Sequence, residues 1–294
     1  MEVKNIDELL DNSIVIINKP PGQTSHEITS FVKKITGAKR AGHAGTLDPE
    51  VSGVLPIALG RATKLLEYIA GKNKTYVGII KFKNEKITDD EIKKLFEEFT
   101  GEITQTPPKM SAVKKVPRKR HVYYIKFLER KGRLVLFETK VDAGTYIRTL
   151  CEDIGKRCGG ARMEELRRIA VGRINESEAV TVQDLIDAVW SWKEEKNDKE
   201  LLRMLKKPEY YIDAKKIFVK NSAVPTLLSG AQLMAPGVKE VDEGIAKGEI
   251  VALYSEGREF IGMGRALFDG KEIISKKHGQ VAKIERIQIT RHFR

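Results

Sequence analysis

Gly42-His43-Ala44-Gly45-Thr46-Leu47-Asp48-Pro49 sets a single aspartate at the tip of a glycine-rich loop. Gly42 and Gly45 open backbone angles that other residues avoid, and Pro49 fixes φ directly after the carboxylate and removes a donor. An exposed carboxylate held this way can act as a nucleophile or a base. Asp-Pro pairs also start ordinary turns, so the stretch alone supports a turn as well as it supports chemistry. Its neighbours have to discriminate.

Upstream, Ile14-Val15-Ile16-Ile17 reads as a buried strand ending at the Lys19-Pro20-Pro21-Gly22 turn. Thr24 and Glu27 have capping-box spacing for a helix with Ile28, Phe31, Val32 and Ile35 on its apolar face and Gly37 as its stop. From Gly37 to Gly60 there is little helical or strand periodicity, which predicts a long irregular connection, and such connections are usually functional. Downstream, a short helix through Leu65, Leu66 and Ile69 leads to a strand from Lys74 to Ile80. A second boxed helix begins at Thr88 with Glu91 three on, buries Ile92, Leu95, Phe96 and Phe99, and stops at Gly101. Residues 107–120 are basic and broken by proline, which predicts a loop suited to touching anions. His121–Glu129 and Leu134–Val141 predict a hairpin across Lys131-Gly132, with Tyr123, Ile125 and Phe127 on one side of its first strand. Gly144-Thr145-Tyr146-Ile147-Arg148-Thr149-Leu150 then joins strand to helix.

The polar run Ser191–Glu200 and the Lys206-Lys207-Pro208 break predict a boundary near residue 212. Past it, Val219, Ile250–Tyr254, Phe260–Gly264 and Val281–Ile289 are short β-prone pieces punctuated by glycine, which predict a small β-barrel or sandwich. The chain of 294 residues is long enough to bury a core without covalent staples. Its 53 Lys+Arg against 41 Asp+Glu leave a net charge of +12, which points to a polyanionic partner. No apolar run approaches the roughly 20 residues needed to span a bilayer, and Met1-Glu2-Val3-Lys4 opens no signal peptide. Cys151 and Cys158 are the only cysteines. Placed two turns apart in a predicted helix they exceed disulfide reach, so a reducing, intracellular home is expected and a structural zinc site is not.

Several features could equip Asp48 for chemistry. Arg148, if it lies beside Asp48, would keep the carboxylate ionised and fix its direction; a surface salt bridge is the plainer reading. Tyr76 offers a flat face to a flipped base, as base-modifying enzymes require, or else packs as a half-buried strand aromatic. Tyr146 carries the same two readings. His43 can touch a phosphate or a base, or serve only as a hydrogen-bonding turn residue. Lys114, Lys115, Arg118, Lys119 and Arg120 suit phosphate contacts that would position a nucleic acid without reading it, although most charge runs simply face water. A Walker loop, a strand-linked Gly-x-Gly-x-x-Gly, a Ser or Cys elbow and metal-ligand spacing are all missing from the sequence.

Taken in order, these stretches resemble the motifs of the TruB-type pseudouridine synthases, in the dyskerin-like form of archaea and eukaryotes. Gly42 to Pro56 resembles the catalytic motif, Lys19-Pro20-Pro21-Gly22-Gln23-Thr24-Ser25-His26 the first motif, Lys74-Thr75-Tyr76 the base-stacking motif and Gly144 to Leu150 the third. Leu166-Arg167-Arg168 matches a further short motif near the pocket. The tail, through Phe218–Val224, Gly230-Ala231 and Ala235-Pro236-Gly237-Val238, looks like a PUA domain, a small RNA-binding barrel. The resemblance covers nearly the whole chain and points to the catalytic subunit of an archaeal H/ACA ribonucleoprotein.

It implies an α+β pseudouridine synthase fold, a mixed and mostly antiparallel sheet with flanking helices over residues 1–212, and a PUA β-barrel over residues 213–294. Asp48 becomes the nucleophile, Arg148 its ion-pair partner, and Tyr76 the platform for the target uracil. Tyr146 and Leu166 line the pocket, His43 helps place the flipped nucleotide, and residues 109–120 form a thumb over the substrate RNA. The implied reaction breaks the uridine N-glycosidic bond, rotates the base and rejoins it through carbon, with no cofactor and no metal; attack at the sugar C1′ and at the base C6 both fit. The implied partners are an H/ACA guide RNA, rRNA or tRNA substrate, small accessory proteins and a kink-turn-binding ribosomal-type protein, in the cytoplasm. A stand-alone tRNA T-loop enzyme is the alternative within the family. A non-catalytic RNA-binding assembly protein is the alternative outside it, and Asp48, Tyr76 and Arg148 all being present argues against it.

Overall fold

Residues 6–107 and 114–288 are described by the computed structural model, which divides into two units, Met1–Lys206 and Lys207–Arg294. In the first unit the apolar run becomes the centre of strand β1 (Asn12–Lys19), between helices α1 (Ile6–Leu10) and α2 (Ser25–Thr36). The capping box forms in full: Glu27 N donates to Thr24 Oγ1 at 3.1 Å and Thr24 N donates to Glu27 Oε2 at 2.7 Å. Gly37 ends α2 with φ 71°. The predicted apolar face is rotated, however. Ser25, Ile28, Thr29, Val32 and Thr36 are buried, and Phe31 is 44% exposed. Small hydroxyl residues, used to anchor neighbouring backbone, take the inward positions.

The expected irregular connection from 37 to 60 is half strand. After β2 (Ala41–His43) comes β3 (Ser52–Gly60), in which every residue from Gly53 onward is buried. A strand covered on both faces has no alternation to read, which is why periodicity missed it. A 3₁₀ turn and α3 (Leu66–Ala70) lead to β4 (Lys74–Phe82), whose burial alternates strictly, with Lys74, Tyr76, Gly78, Ile80 and Phe82 inward. The boxed helix is α4 (Asp89–Glu98), followed by β5 (Gly101–Gln105), β6 (Arg118–Lys131), β7 (Leu134–Val141) and α5 (Ile147–Lys156). Strands β8 (Ala161–Val171) and β9 (Ile174–Asn175) and helices α6 (Val182–Glu194) and α7 (Lys199–Met204) complete the unit.

Three local expectations change. Arg118, Lys119 and Arg120 belong to β6, paired with β5, rather than to a loop; the expected thumb residues 109–113 lie outside the described residues. A bulge between Val122 and Tyr124 turns Tyr123 outward, so it leaves the side shared by Ile125 and Phe127. Helix α5 ends at Lys156, so Cys158 follows the helix rather than riding on it; both thiols are free.

The strands form one sheet in the order β1-β3-β8-β4-β7-β6-β5, with β2 on β3 and β9 on β8. All its pairings are antiparallel except β3 with β8, which run parallel over only two pairs, Ser52↔Arg167 and Gly53↔Arg168. Gly53 has φ 105°, and a Cβ there would fall 2.1 Å from the Arg168 carbonyl oxygen, so only glycine lets the strands meet. The core clusters under α2, α4, α5, α6 and α7, around residues such as Ile17, Leu55, Ile80, Phe137 and Leu150.

The second unit is a near-barrel six-stranded sheet, mostly antiparallel. Its strands are β10 (Lys216–Val219), β11 (Leu233–Met234), β12 (Val238–Val241), β13 (Ile250–Ser255), β14 (Phe260–Ala266) and β15 (Gln280–Ile287). Ile217, Val251, Leu253, Ile261 and Val281 fill its core. No helix among the described residues is long and apolar enough to cross a membrane.

Candidate active site

Main-chain contacts tie the Asp48 loop down from several sides. Ala44 N donates to Pro56 O at 2.9 Å, and Gly22 N to Pro49 O at 2.8 Å. Buried Ser25 clamps Leu47 twice: Leu47 N donates to Ser25 Oγ at 2.8 Å and Ser25 Oγ donates to Leu47 O at 2.9 Å. Lys19 Nζ donates to Pro49 O at 3.0 Å, and Arg168 Nη2 to Gly45 O at 2.8 Å. A turn closed by Val51 N on Asp48 O at 3.0 Å leaves the aspartate side chain as the exposed group of a fixed backbone.

Arg148, in the first turn of α5, donates from Nη2 to Asp48 Oδ2 at 3.2 Å and lies 3.6 Å from Glu50 Oε2. Their side chains are 47% and 60% exposed, so the pair contributes at most about 1 kcal/mol to stability. Its worth lies in direction: one guanidinium holds the carboxylate at a set angle. Gln105 holds the entry to α5 by accepting from Tyr146 N at 3.0 Å and donating to Tyr146 O at 3.2 Å.

Tyr76 lies under this loop and is 7% exposed. Burial pushes its phenol up, while the facing Arg168 guanidinium opposes that and Asp48 adds to it. Leu166, opposite Gly78 on β8, leans over the space where a Gly78 side chain would stand, its Cδ1 2.8 Å from that position. Leu166 therefore shares the face of β4 that carries Tyr76. His43 bridges two hydroxyls, Thr29 Oγ1 at 3.0 Å from Nδ1 and Thr46 Oγ1 at 3.3 Å from Nε2. Burial, with His26 and Arg168 nearby, lowers its pKa, so the neutral ring is favoured.

The basic residues divide. Lys114 and Lys115 are exposed and make no ion pair among the described residues, and Arg118 is half-buried. Lys119 Nζ pairs with Glu102 at 2.8 Å, and Arg120 folds its guanidinium against Gly144, 3.2 Å from the position a side chain would take there.

Lys19, Lys74 and Arg168 fall in the quoted motifs without a role of their own; what the sequence did not show is that they gather as buried charge beneath the loop. Lys19, Lys74 and Arg168 are 0%, 7% and 0% exposed. Burial lowers the Lys19 pKa against the pull of Glu50 and Asp48. Burial and then Arg168 bring Lys74 down to about 8. Lys74 Cε and Arg168 Nη1 stand 3.1 and 3.3 Å from where a Gly45 side chain would start. The available signal was the two-residue period of β4, which puts Lys74 on the same face as Tyr76. Clefts of about 580 and 290 Å³ open elsewhere in this unit, around Arg130 and Arg133 and around Lys81 and Arg162; the Asp48 loop lines neither.

The same chain matches known families over residues 33–212 and 215–288. Residues 33–147 match the TruB family pseudouridylate synthase N-terminal domain, 148–212 the tRNA pseudouridylate synthase B C-terminal domain and 215–288 the PUA domain. A Pyrobaculum aerophilum protein named "Probable tRNA pseudouridine synthase B" is 43% identical over 98% of this chain and 87% of its own length. A Methanocaldococcus jannaschii protein of the same name is 41% identical over 98% and 86%. Among solved structures, a Cbf5–Nop10–Gar1 complex superposes with a TM-score of 0.91 at 38% identity, covering 97% of this chain and 88% of that one. An H/ACA ribonucleoprotein bound to a substrate RNA containing 2′-deoxyuridine gives 0.91 at 36%, covering 99% and 90%. The chain belongs to the TruB family of pseudouridine synthases and carries a PUA domain.

Proposed function

We propose that this enzyme isomerises uridine to pseudouridine in RNA with Asp48 as nucleophile, working as the catalytic subunit of a guide-RNA particle. The observation that carries the reading is the Arg148–Asp48 pair on a loop anchored over Tyr76, Lys19 and Arg168. Arg148 directs the carboxylate, and His43, Tyr146 and Leu166 border the space the nucleotide enters. Tyr76 is nearly covered, so a uracil stacks on it only as the RNA opens the cleft. Residues 1–212 supply the chemistry and residues 213–294 hold the guide RNA. Lys114, Lys115 and Arg118, with Lys119 and Arg120 more tied, meet substrate phosphates. The guided reading draws support from the likeness to Cbf5 in H/ACA assemblies, and with it come Nop10- and Gar1-like partners, a kink-turn-binding ribosomal-type protein and a cytoplasmic setting. A direct action on tRNA is favoured by the names of the curated relatives.

The test is Asp48→Asn, assayed for pseudouridine on unmodified tRNA and on a guide-paired target, with and without the partner proteins. The variant should form no product while binding RNA with nearly unchanged affinity, since one exposed carboxylate adds little to phosphate contact. Full activity in Asp48→Asn would sink the nucleophile assignment. Wild-type activity on bare tRNA would favour the stand-alone reading, and strict dependence on the guide would favour the particle.

A further inference from the structure

Helix α2 turns a second hydroxyl toward the Asp48 loop, and its hydrogen bonds can be followed proton by proton. Thr29 is 6% exposed and lies one turn after Ser25, which clamps Leu47. Its Oγ1 stands 2.7 Å from Ser25 O and 3.0 Å from His43 Nδ1. A main-chain carbonyl can only accept, and two oxygens at 2.7 Å need a proton between them. The single hydroxyl proton of Thr29 is therefore committed to Ser25 O. Toward His43 the hydroxyl has only lone pairs to offer, so Nδ1 carries the proton of the ring and donates it.

The other ring nitrogen follows from this. Burial, with His26 and Arg168 nearby, favours the neutral ring, and a neutral imidazole protonated at Nδ1 has a bare lone pair at Nε2. Pairing of His43 with Ile57 between β2 and β3 fixes the backbone behind the ring. Nδ1 meets buried Thr29, and Nε2 meets exposed Thr46, two residues before Asp48, with its Oγ1 at 3.3 Å. That contact is longer than a well-formed hydrogen bond, so an incoming group can replace it. The bond from Thr29 back to its own helix is no functional mark by itself, because Thr36 makes the same bond to Val32 O at 2.8 Å. What sets Thr29 apart is the histidine on its other side.

We infer that Thr29 is a positioning residue that holds His43 in the Nδ1-protonated tautomer, so that Nε2 presents an acceptor to a hydrogen-bond donor of the incoming uridine. The inference rests on the functional reading above and deepens it. Of the two contacts open to His43, a phosphate and a base, the tautomer turns away phosphate, which has no proton to give. A uridine offers two kinds of donor, the uracil N3–H and the ribose 2′-hydroxyl.

The experiment is NMR near pH 8 of the full chain carrying 15N-labelled histidine, in wild type, Thr29→Val, Thr29→Ser and Thr46→Val, each checked by thermal melting. The His43 ring is identified by its loss in His43→Phe. Wild type, Thr29→Ser and Thr46→Val should carry the proton on Nδ1. Thr29→Val keeps the shape and removes the acceptor, so the proton should move to Nε2, where Thr46 remains to accept it. A wild-type proton on Nε2, or a Thr29→Val ring unchanged from wild type, would overturn the proposal. The wild-type spectrum alone decides the first of these where Thr29→Val fails to fold.

The nucleotide side is read by affinity for RNA whose target carries 2′-deoxyuridine or 3-methyluridine, each lacking one donor, in an Asp48→Asn background that prevents turnover. One of the two should bind about fivefold or more weakly, the size of one neutral hydrogen bond. The same change should cost no more than about twofold once Thr29→Val or His43→Phe is added. Equal losses in all three proteins would overturn the acceptor role. Because the tautomer is read on the free protein, a proton that leaves Nδ1 in Thr29→Val supports the Thr29–His43 pairing even in a chain that makes no pseudouridine, and only the functional reading then falls. The opposite tautomer in a chain that does make pseudouridine removes this inference and leaves the function standing.

Discussion

Replacing Lys74 by methionine should stabilise the protein at neutral pH and, in doing so, expose what the lysine costs. Lys74 is 7% exposed on the inward face of β4, and burial with the nearby Arg168 charge brings its pKa from 10.5 to about 8. Below pH 8 both folded and unfolded chains carry the ammonium, and the folded one bears the full burden of burying it. Between pH 8 and 10.5 the folded lysine has lost its proton while the unfolded one keeps it, so the unfolded state binds more protons and stability rises with pH. The gap of about 2.5 units corresponds to roughly 3 kcal/mol as an upper bound.

Methionine keeps the length and removes the charge. It also removes the Nζ donation to Lys72 O at 2.9 Å; the part of that bond that depends on the charge is already contained in the lowered pKa, and the remainder is the same at every pH. The clean quantity is therefore the change with pH: relative to wild type, Lys74→Met should gain about 2–3 kcal/mol more at pH 7 than at pH 10.5. Both tryptophans, Trp190 and Trp192, lie in α6 of the same unit, so urea unfolding followed by their fluorescence reports on the right part of the molecule. Single-turnover activity should meanwhile fall about tenfold or more, because Lys74 packs under Gly45 and a small misplacement of the loop is expensive in rate. Parallel pH profiles for the two proteins would refute the burial argument.

Other changes have sharper, smaller expectations. Ser25→Ala strands both main-chain groups of Leu47 and should cost about 2 kcal/mol in urea unfolding while slowing the reaction. Gly53→Ala forces a side chain into the Arg168 carbonyl at positive φ and should cost about 3 kcal/mol or more, read as a large drop in the melting temperature. Neutralising Lys114 and Lys115 to glutamine should flatten the salt dependence of RNA binding by about 1.4 in slope, at roughly 0.7 for each single-strand phosphate contact. Adding Lys119→Gln should change it less, since Glu102 already holds that charge.

The elements whose signals are local were legible. Thr24 with Glu27 and Thr88 with Glu91 announce their helices because a capping box needs only residues within one turn. Tyr76 and Lys74 share a face because a strand alternates. Strand β3 was hidden for the opposite reason: covered on both faces, it shows an apolar run interrupted by glycine and proline. The Arg148–Asp48 pair spans 100 residues of sequence, and no spacing rule reaches that far; the residues allowed it only as a condition, and the resemblance made it an expectation. Arg168 was visible in the sequence only as part of the Leu166-Arg167-Arg168 motif, with no role of its own. Its burial follows from the glycine at position 53 admitting β8 against β3, a fact of packing rather than of pattern.

The two-pair junction between β3 and β8 also bears on how the molecule comes to life. Strands β6 and β7 form a local hairpin and β1 meets β3 within about fifty residues, whereas Gly53 meets Arg168 only after more than a hundred residues have been spanned. Contacts of such long reach pay their closure entropy early and are rewarded late. During synthesis the Asp48 loop therefore lacks its Arg168 anchor on Gly45 until β8 has left the ribosome, although Lys19, Ser25 and Pro56 can already hold it. The last support of the Asp48 loop arrives as the sheet closes.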